Sequence, residues 1–259
     1  MAQINTPKEV LALAQKSATG KMQLPAGKTL LLAFLAGAYI AMGGLFSLMA
    51  GFGFPGWPKR PGCSACSRGW YSRWGSSWWY SPGRSSSRAT TPCSYPGRWA
   101  AGTDGARCCA TGGLVYAGNF IGAAFFAYFL VVLPGVLSSE LWREAACNVA
   151  QAKVSMPWLT VFLRGVGANW LVCLAVWLGL STDDAAGRMM GLFFPVMCFV
   201  VIGYEHCIAN MFFIPLGMML GAPVTAADMV AANLVPATLG NIAGGGIFVG
   251  GLYWYLNRK

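Results

Sequence analysis

The stretch PVMCFVVIGYEHCIANMFFIP, residues 195–215, is an apolar run that holds the chain's only histidine, His206, directly after Glu205. About 20 apolar residues cross the hydrocarbon core of a bilayer, so this run is long enough to span a membrane. Its flanking prolines and central polar groups favour a helix that breaks between Pro195 and Pro215. A lone histidine is more often a satisfied core residue, but ionisable groups at membrane depth usually face a pathway or a partner. We therefore expect an interrupted span with a functional histidine at the break.

The composition of the whole chain is that of a membrane protein. Of its 259 residues, 56% are hydrophobic and 10% are charged, whereas roughly 25% are charged in soluble domains. Nothing in the first 28 residues resembles a removable signal peptide. We expect residues 1–28 to be a cytoplasmic N-terminal segment and residues 29–257 to be a transmembrane domain. Long apolar runs predict five spans, at residues 29–54, 114–137, 158–180, 189–220 and 232–256.

Basic residues at both ends of the chain set the expected number of spans. Four lysines lie in the first 28 residues, and Arg258 and Lys259 end the sequence. Because positive residues favour the cytoplasmic side of a membrane, we expect both termini in the cytoplasm, and the number of spans is then even. A sixth span is missing from the hydropathy pattern. The room for it lies in residues 57–112.

Residues 57–112 differ in composition from the rest of the chain. They hold Lys59 and seven arginines against Asp104 alone, and six of the eleven tryptophans. A disordered Arg/Ser loop that binds RNA is one explanation, but it is improbable in a multi-span membrane protein, so no nucleic-acid partner is expected. Cys63 and Cys66 form a Cys-x-x-Cys pair, but no histidine lies nearby and the spacing fits no zinc site. We expect no bound metal.

A shifted reading frame of a GC-rich gene is a further explanation for this segment. Codons for Trp70–Pro92, read from the third base, permit an apolar, glycine-interrupted span with Gly-Ala-Glu-Leu-Phe-Thr-Gly-Asn at positions 82–89. The same frame runs directly into Leu114, so we infer that the frame is restored near Gly113. As they stand, residues 57–112 are expected to be disordered, because an arginine costs roughly 2.5 to 3.5 kcal/mol at mid-span.

An internal repeat supports six spans. GNFIG at residues 118–122 recurs as GNIAG at residues 240–244, which is 122 positions later. The recoded segment at positions 82–89 precedes GYEHCIAN, residues 203–210, by 121 positions and shares its glycine, glutamate and asparagine. Two repeats of three spans must insert with opposite orientations. The sequence therefore predicts an all-α membrane protein of six transmembrane helices, arranged as two inverted three-helix repeats.

Three motifs resemble the formate/nitrite transporter family of anion channels. They are NWLVCLAVW at residues 169–177, GYEHCIANM at residues 203–211, and NLVP at residues 233–236 followed by a Gly-Asn pair. The resemblance covers residues 5–56 and 114–257. It implies an aquaporin-like helical architecture, a homopentamer with one pore per protomer, and a channel in a bacterial-type inner membrane. The implied substrates are small monovalent anions, such as formate or nitrite, with protons linked through the histidine.

Three further polar residues are candidates from their own surroundings. Asn169 and Asn210 lie in apolar runs, where their amides can satisfy backbone groups freed by a helix break or can donate to a passing anion. Glu205 is the residue before His206, so on a helix it points elsewhere. It is expected either to cap the broken helix or to face the substrate.

Two candidates follow from the resemblance. Lys153, in an amphipathic stretch at residues 139–156, matches a family lysine near the outer vestibule that draws anions inward. Its alternative is an ordinary interfacial lysine with its charge at the membrane surface. Phe199 resembles an aromatic constriction residue of the family, although a phenylalanine in a span commonly serves packing.

Other functions fit the sequence less well. An aquaporin-type channel for neutral solutes needs two Asn-Pro-Ala-like half-helices, which this sequence lacks. A non-transporting membrane scaffold subunit does not account for His206 beside a predicted break. No phosphate loop, nucleophile triad or dinucleotide motif is present, so we expect neither an enzyme nor a cofactor. The identity of the anion stays open, because formate, nitrite, hydrosulfide, acetate and lactate are all compatible with one histidine and an apolar constriction.

The frame hypothesis predicts the outcome of sequencing the gene across codons 50–115. We expect two compensating frame changes, one near codon 57 and one near codon 113, that restore a membrane span between them. Independently prepared DNA that encodes residues 57–112 in one uninterrupted frame would contradict the hypothesis.

Overall fold

The computed structural model describes residues 4–52 and 105–257 of the chain. These residues are helical throughout, apart from connecting segments and an isolated bridge between Ile4 and Thr182. The helices are α1 (Pro7–Met22), α2 (Ala26–Phe52), α3 (Gly105–Phe125), α4 (Glu140–Val154), α5 (Trp158–Leu180), α6 (Ala185–Ile202), α7 (Cys207–Met219) and α8 (Ala226–Asn257). Wider π-helical turns continue α3 through Phe126–Val132 and occur twice inside α8, at Met229–Leu234 and Gly244–Gly251.

The predicted spans are confirmed in number and position along the described part of the chain. Five of its helices are long and apolar enough to cross a membrane, namely α2, α3 with its π-helical extension, α5, α6 and α8. The run at residues 189–220 is not one helix, because α6 and the shorter α7 divide it. The first and last spans begin earlier than predicted, at Ala26 and Ala226, because helical turns of lower hydropathy precede the apolar runs. The missing sixth span and residues 57–104, which were expected to be disordered, lie outside the described ranges. Residues 105–112 were also expected to be disordered, but they form the first turns of α3.

α1 lies ahead of the first span and begins with a complete cap. Thr6 accepts a hydrogen bond from the Glu9 backbone N–H, and the Glu9 carboxylate accepts one from the Thr6 backbone N–H at 2.7 Å. These hydrogen bonds from Thr6 hold the pKa of Glu9 below its ordinary value. The cap fixes where the helix starts, at Pro7.

Glycines set the contact between α2 and α3. A Cβ atom on Gly122 would overlap the carbonyl of Phe34, and one on Gly118 would meet the Leu30 carbonyl and the Ala33 side chain. Small residues at such positions let two helix backbones approach closely, as is common between membrane helices. The two glycines of the GNFIG segment in the sequence repeat therefore serve helix packing.

The second copy of the repeat makes the same contact between α5 and α8. A Cβ atom on Gly240 would overlap the carbonyl of Phe162, and one on Gly244 would overlap the carbonyl of Val166. In both halves the two glycines are four residues apart and face carbonyls four residues apart. The internal repeat seen in the sequence is therefore a repeat of helix packing, as two inverted three-helix units require.

α7 occupies the centre of the bundle. It packs against α2, α3 and α4, and Met211, Phe212, Ile214 and Leu216 are completely buried. With 13 residues it is too short to cross a membrane alone, but surrounding helices cover it. Interrupted helices are tolerated at membrane depth only where protein covers them. This position places the α6–α7 break inside the protein.

The glycine contacts predict opposite effects for two Gly→Ala substitutions. Gly240→Ala should lower the midpoint of thermal unfolding of the purified protein, because the added methyl meets a backbone oxygen that cannot move aside, at a cost of about 1 to 3 kcal/mol. Gly113→Ala, in α3, has open space around the new methyl, and should be neutral or stabilising by about 0.4 to 1 kcal/mol. A lower midpoint for Gly113→Ala than for Gly240→Ala would contradict this packing.

Candidate functional site

The candidate site is the break between α6 and α7, residues 203–206. α6 ends at Gly203, whose φ of +81° is in the left-handed region, and its N–H bonds to the carbonyls of Phe199 and Val200. Glycine adopts this conformation without strain, so the sequence itself ends the helix there. α7 begins four residues later, at Cys207. The predicted interruption between Pro195 and Pro215 is confirmed.

His206 is the N-cap residue of α7. Its Nδ1 accepts the backbone N–H of Ala209 at 3.4 Å, and its ring stacks on Phe199 with centroids 5.8 Å apart and planes at 26°. Only 8% of the residue is exposed. The other ring nitrogen, Nε2, has no hydrogen-bond partner in the described part of the chain. The histidine therefore uses one nitrogen for the helix and leaves the other available.

Asn241 of α8 holds the backbone on both sides of the histidine. Its Oδ1 accepts the Cys207 N–H at 2.9 Å, and its Nδ2 donates to the carbonyls of Glu205 and Gly165 at 2.9 and 2.8 Å. Asn169 of α5 in turn donates to the Asn241 carbonyl at 2.5 Å. One amide thus satisfies groups that the interrupted helix leaves without partners.

Glu205 lies in a polar pocket with its charge compensated. Lys153 Nζ is 3.0 Å from both carboxylate oxygens, and Asn210 and Asn233 donate to Oε2 at 2.6 and 3.2 Å. The carboxylate is shielded from solvent, since Glu205 is only 3% exposed. Asn233 also donates to the Lys153 carbonyl at 2.9 Å, which ties α4 to α8. A buried carboxylate with a cation and two amide donors meets the requirement for burying a charge.

The structure brings the six predicted residues together. His206, Phe199, Glu205, Lys153 and Asn210 form one cluster, and Asn169 joins it through Asn241. The expectation that Glu205 caps the broken helix is wrong, because His206 provides the cap and the carboxylate of Glu205 binds Lys153.

Lys153 is not an isolated, exposed lysine. Its side chain is 16% exposed and its ammonium group faces Glu205. Both asparagine amides donate to protein acceptors, which is the structural one of the two roles considered for them. The Oδ1 atom of Asn210 is buried and has no partner within the described residues.

Three residues of the cluster were not among the sequence candidates. Asn233 and Asn241 stood in the motifs but had no assigned role, although both are amides in apolar surroundings and Asn241 lies in the repeat. Arg164 is the third, and its signal was a single charge inside the run at residues 158–180. No group of three or more His, Cys, Asp or Glu residues that could hold a metal occurs in residues 4–52 and 105–257.

Comparisons with known proteins agree with this geometry. The sequence model of the formate/nitrite transporter family matches residues 100–255. A probable formate transporter of Methanothermobacter thermautotrophicus is 38% identical over an alignment of 260 positions that covers 92% of each chain.

Two solved structures have the same fold. A pentameric formate channel with formate bound has a TM-score of 0.75 at 28% identity, over 90% of this chain and 98% of that one. An FNT family ion channel has a TM-score of 0.77 at 25% identity, over 97% and 98%. A family match across more than half of the chain, a relative matched along nearly its whole length and a shared fold lead to one conclusion: the chain belongs to the formate/nitrite transporter family of multi-pass membrane proteins.

Proposed function

We propose that the chain is a membrane channel for small monovalent anions of the formate or nitrite class, and that His206 links their passage to protons. The observation that carries this proposal is the histidine at the helix break, whose Nε2 has no partner among the described residues and whose ring stacks on Phe199. The relatives support the substrate class, since one is named a probable formate transporter and another holds formate.

The physical need for a proton follows from desolvation. A bare anion that enters an apolar constriction loses its hydration at a large cost, whereas its protonated acid crosses far more cheaply. A titratable group beside the constriction can supply that proton. His206 is the only histidine of the chain, and histidine is the side chain that exchanges protons most readily near neutral pH.

The cap on α7 restricts how the ring can take part. While Nδ1 accepts the Ala209 N–H, the proton of the neutral ring belongs on Nε2. The imidazolium carries a hydrogen on both nitrogens and can accept nothing. Protonation of Nδ1 therefore breaks its hydrogen bond with the Ala209 N–H. When the imidazolium gives its Nε2 proton to an anion, the neutral ring keeps its proton on Nδ1. Nδ1 can accept the Ala209 N–H again once that proton has moved to Nε2. Anion occupancy and the cap thus oppose one another.

The Lys153–Glu205 pair gives the break its charge balance. Because the ammonium and the carboxylate are 3.0 Å apart, the charges of these two residues largely cancel before an anion arrives. We propose that the pair connects the break to α4 and lowers the positive electrostatic potential at His206, so that an anion is attracted there but can also leave.

The position of both chain ends supports a common side of the membrane for them. Asn5, ahead of α1, donates from its backbone to the Ser181 carbonyl and from its side chain to the Leu180 carbonyl. α1 also packs against the last turns of α8, Leu252–Asn257. With lysines in front and a basic end behind, we propose cytoplasmic termini, an inner-membrane location and a homopentamer like that of the pentameric relative.

The first test is the substitution of His206. His206→Phe should abolish the dependence of formate flux on pH in liposomes while assembly is retained. His206→Asn should do the same and, because asparagine is a good N-cap, should keep the roughly 1 kcal/mol of cap stability that phenylalanine loses. If either variant kept the pH profile and rate of the unsubstituted chain, the proton role of His206 would be refuted.

The second test separates the ion pair from ordinary surface pairs. Lys153→Met leaves a buried carboxylate uncompensated and should destabilise the protein by about 3 to 5 kcal/mol, while the double variant Lys153→Met/Glu205→Gln should recover much of that loss. The control is the exposed pair Arg188–Asp183, whose disruption by Arg188→Gln should cost no more than about 1 kcal/mol. Strict additivity of the Lys153 and Glu205 effects on thermal unfolding would show that the pair is not coupled.

A further inference from the structure

Arg164 is the only charged residue of α5, and it lies beside the helix break. Its Nη1 donates to the Sδ of Met156 at 3.2 Å and to the carbonyl of Gly203 at 3.5 Å. Its own carbonyl accepts the Glu205 N–H at 3.3 Å. The side chain is exposed, so its guanidinium lies between the α4–α5 connection and the first residue of the break.

The charge of Arg164 is not compensated in the way that the charge of Lys153 is. Within residues 4–52 and 105–257, Lys153 pairs with Glu205 and Arg188 pairs with Asp183, whereas Arg164 has no carboxylate partner. Its two contacts are with neutral acceptors, and both use the same nitrogen. A guanidinium has five N–H donors in a rigid planar fork, so most of its hydrogen-bonding capacity is unused.

The position of this charge calls for a partner. Arg164 is six residues from the start of α5, about 9 Å along the helix. A charge inside a helix that is long and apolar enough to cross a membrane is costly in lipid and normally faces a pathway or a compensating group. Arg164 contacts the break, and a permeating anion would be the compensating group that arrives there.

We propose that Arg164 is a recruiting and specificity-determining residue for the permeating anion, and that its fork favours anions with two oxygens, such as carboxylates and nitrite, over monoatomic anions. This inference rests on the proposed function and deepens it. Two parallel N–H···O bonds match a carboxylate or nitrite in geometry as well as in charge. Lysine at this position would supply the charge without the fork. Arg164 therefore acts before the histidine, at the entrance to the break.

The test compares Arg164→Gln, Arg164→Lys and the matched control Arg188→Gln in liposomes that contain the full chain. The measured quantities are the formate concentration for half-maximal flux, its dependence on ionic strength, and the inhibition of formate flux by nitrite and by chloride. Arg164→Gln should raise the half-saturating concentration roughly tenfold, as loss of a charge-assisted hydrogen bond does, and weaken its dependence on salt. The maximal flux and its pH profile should not change.

Arg164→Lys separates charge from geometry. The half-saturating formate concentration of Arg164→Lys should depend on ionic strength as in the unsubstituted chain. Nitrite, however, should inhibit its formate flux only slightly more strongly than chloride does. Arg188→Gln should behave like the unsubstituted chain, because its partner is Asp183 at a different end of the bundle.

Each contrary result overturns a stated part of the inference. An unchanged half-saturating formate concentration in Arg164→Gln would refute the recruiting role. A fully retained preference for nitrite over chloride in Arg164→Lys would refute the bidentate contact of the guanidinium with the anion. A change in oligomeric state for Arg164→Gln, measured by light scattering of the purified protein, would instead assign the guanidinium to a contact between copies of the chain. Absence of formate flux both in the unsubstituted chain and in the protein with the reading frame of residues 57–112 restored would refute the proposed function itself.

Discussion

A helix that breaks inside a membrane must satisfy its freed backbone groups without water, and this constraint organises the whole site. Between α6 and α7 one amide meets a large part of this obligation: Asn241 accepts from Cys207 and donates to Glu205, on both sides of the histidine. Lost backbone hydrogen bonds cost several kcal/mol each in hydrocarbon, so this amide is worth more here than it would be at a water-exposed loop. The close packing of α5 on α8 through Gly240 and Gly244 brings Asn241 to the break. Helix packing, backbone satisfaction and placement of His206 are therefore one arrangement.

The α2–α3 contact of the first repeat and the α5–α8 contact of the second repeat are alike but differ in one pair of corresponding residues. In the first half, Gly37 lies directly against the carbonyl of Asn119; in the second half, the corresponding position is Asn169, which donates an amide hydrogen to the carbonyl of Asn241. The asparagines differ as well. Asn119 is fully buried, donates to Val115 in its own helix, and has an Oδ1 atom without a partner in the described part of the chain. At this position of the described residues the second half therefore makes a polar contact where the first half has a glycine, and His206 belongs to the second half.

The sequence predicted those features that depend on local pattern. Run length and hydropathy placed the spans, and Pro195, Pro215 and the polar residues between them indicated the break, because proline and the loss of apolar character both act within a few residues. The conformation of Gly203, at which α6 ends, was found only in the structure. The Lys153–Glu205 pair could not be predicted in this way, since 52 residues separate its members and α4 reaches Glu205 only through the packing of α4 against α7. The expectation that Glu205 caps the broken helix failed for a definite reason: the helix after the break begins at Cys207, so the cap position is occupied by His206 and not by Glu205.

The dual use of His206 explains why a histidine, rather than a better cap residue, suits this position. Serine or aspartate would hold the start of α7 as well or better, but serine does not titrate near neutral pH and aspartate would place a second carboxylate beside Glu205. Histidine caps only while its Nδ1 is unprotonated, so the helix start and the charge on the ring cannot both be satisfied. The positive end of the α7 dipole further opposes a charged ring. In the proposed function, an anion at Nε2 favours the charged ring and thereby weakens the cap as it binds. We propose that the stability of one helical turn is in this way set against anion occupancy, so that the departure of the anion favours the neutral, capping ring.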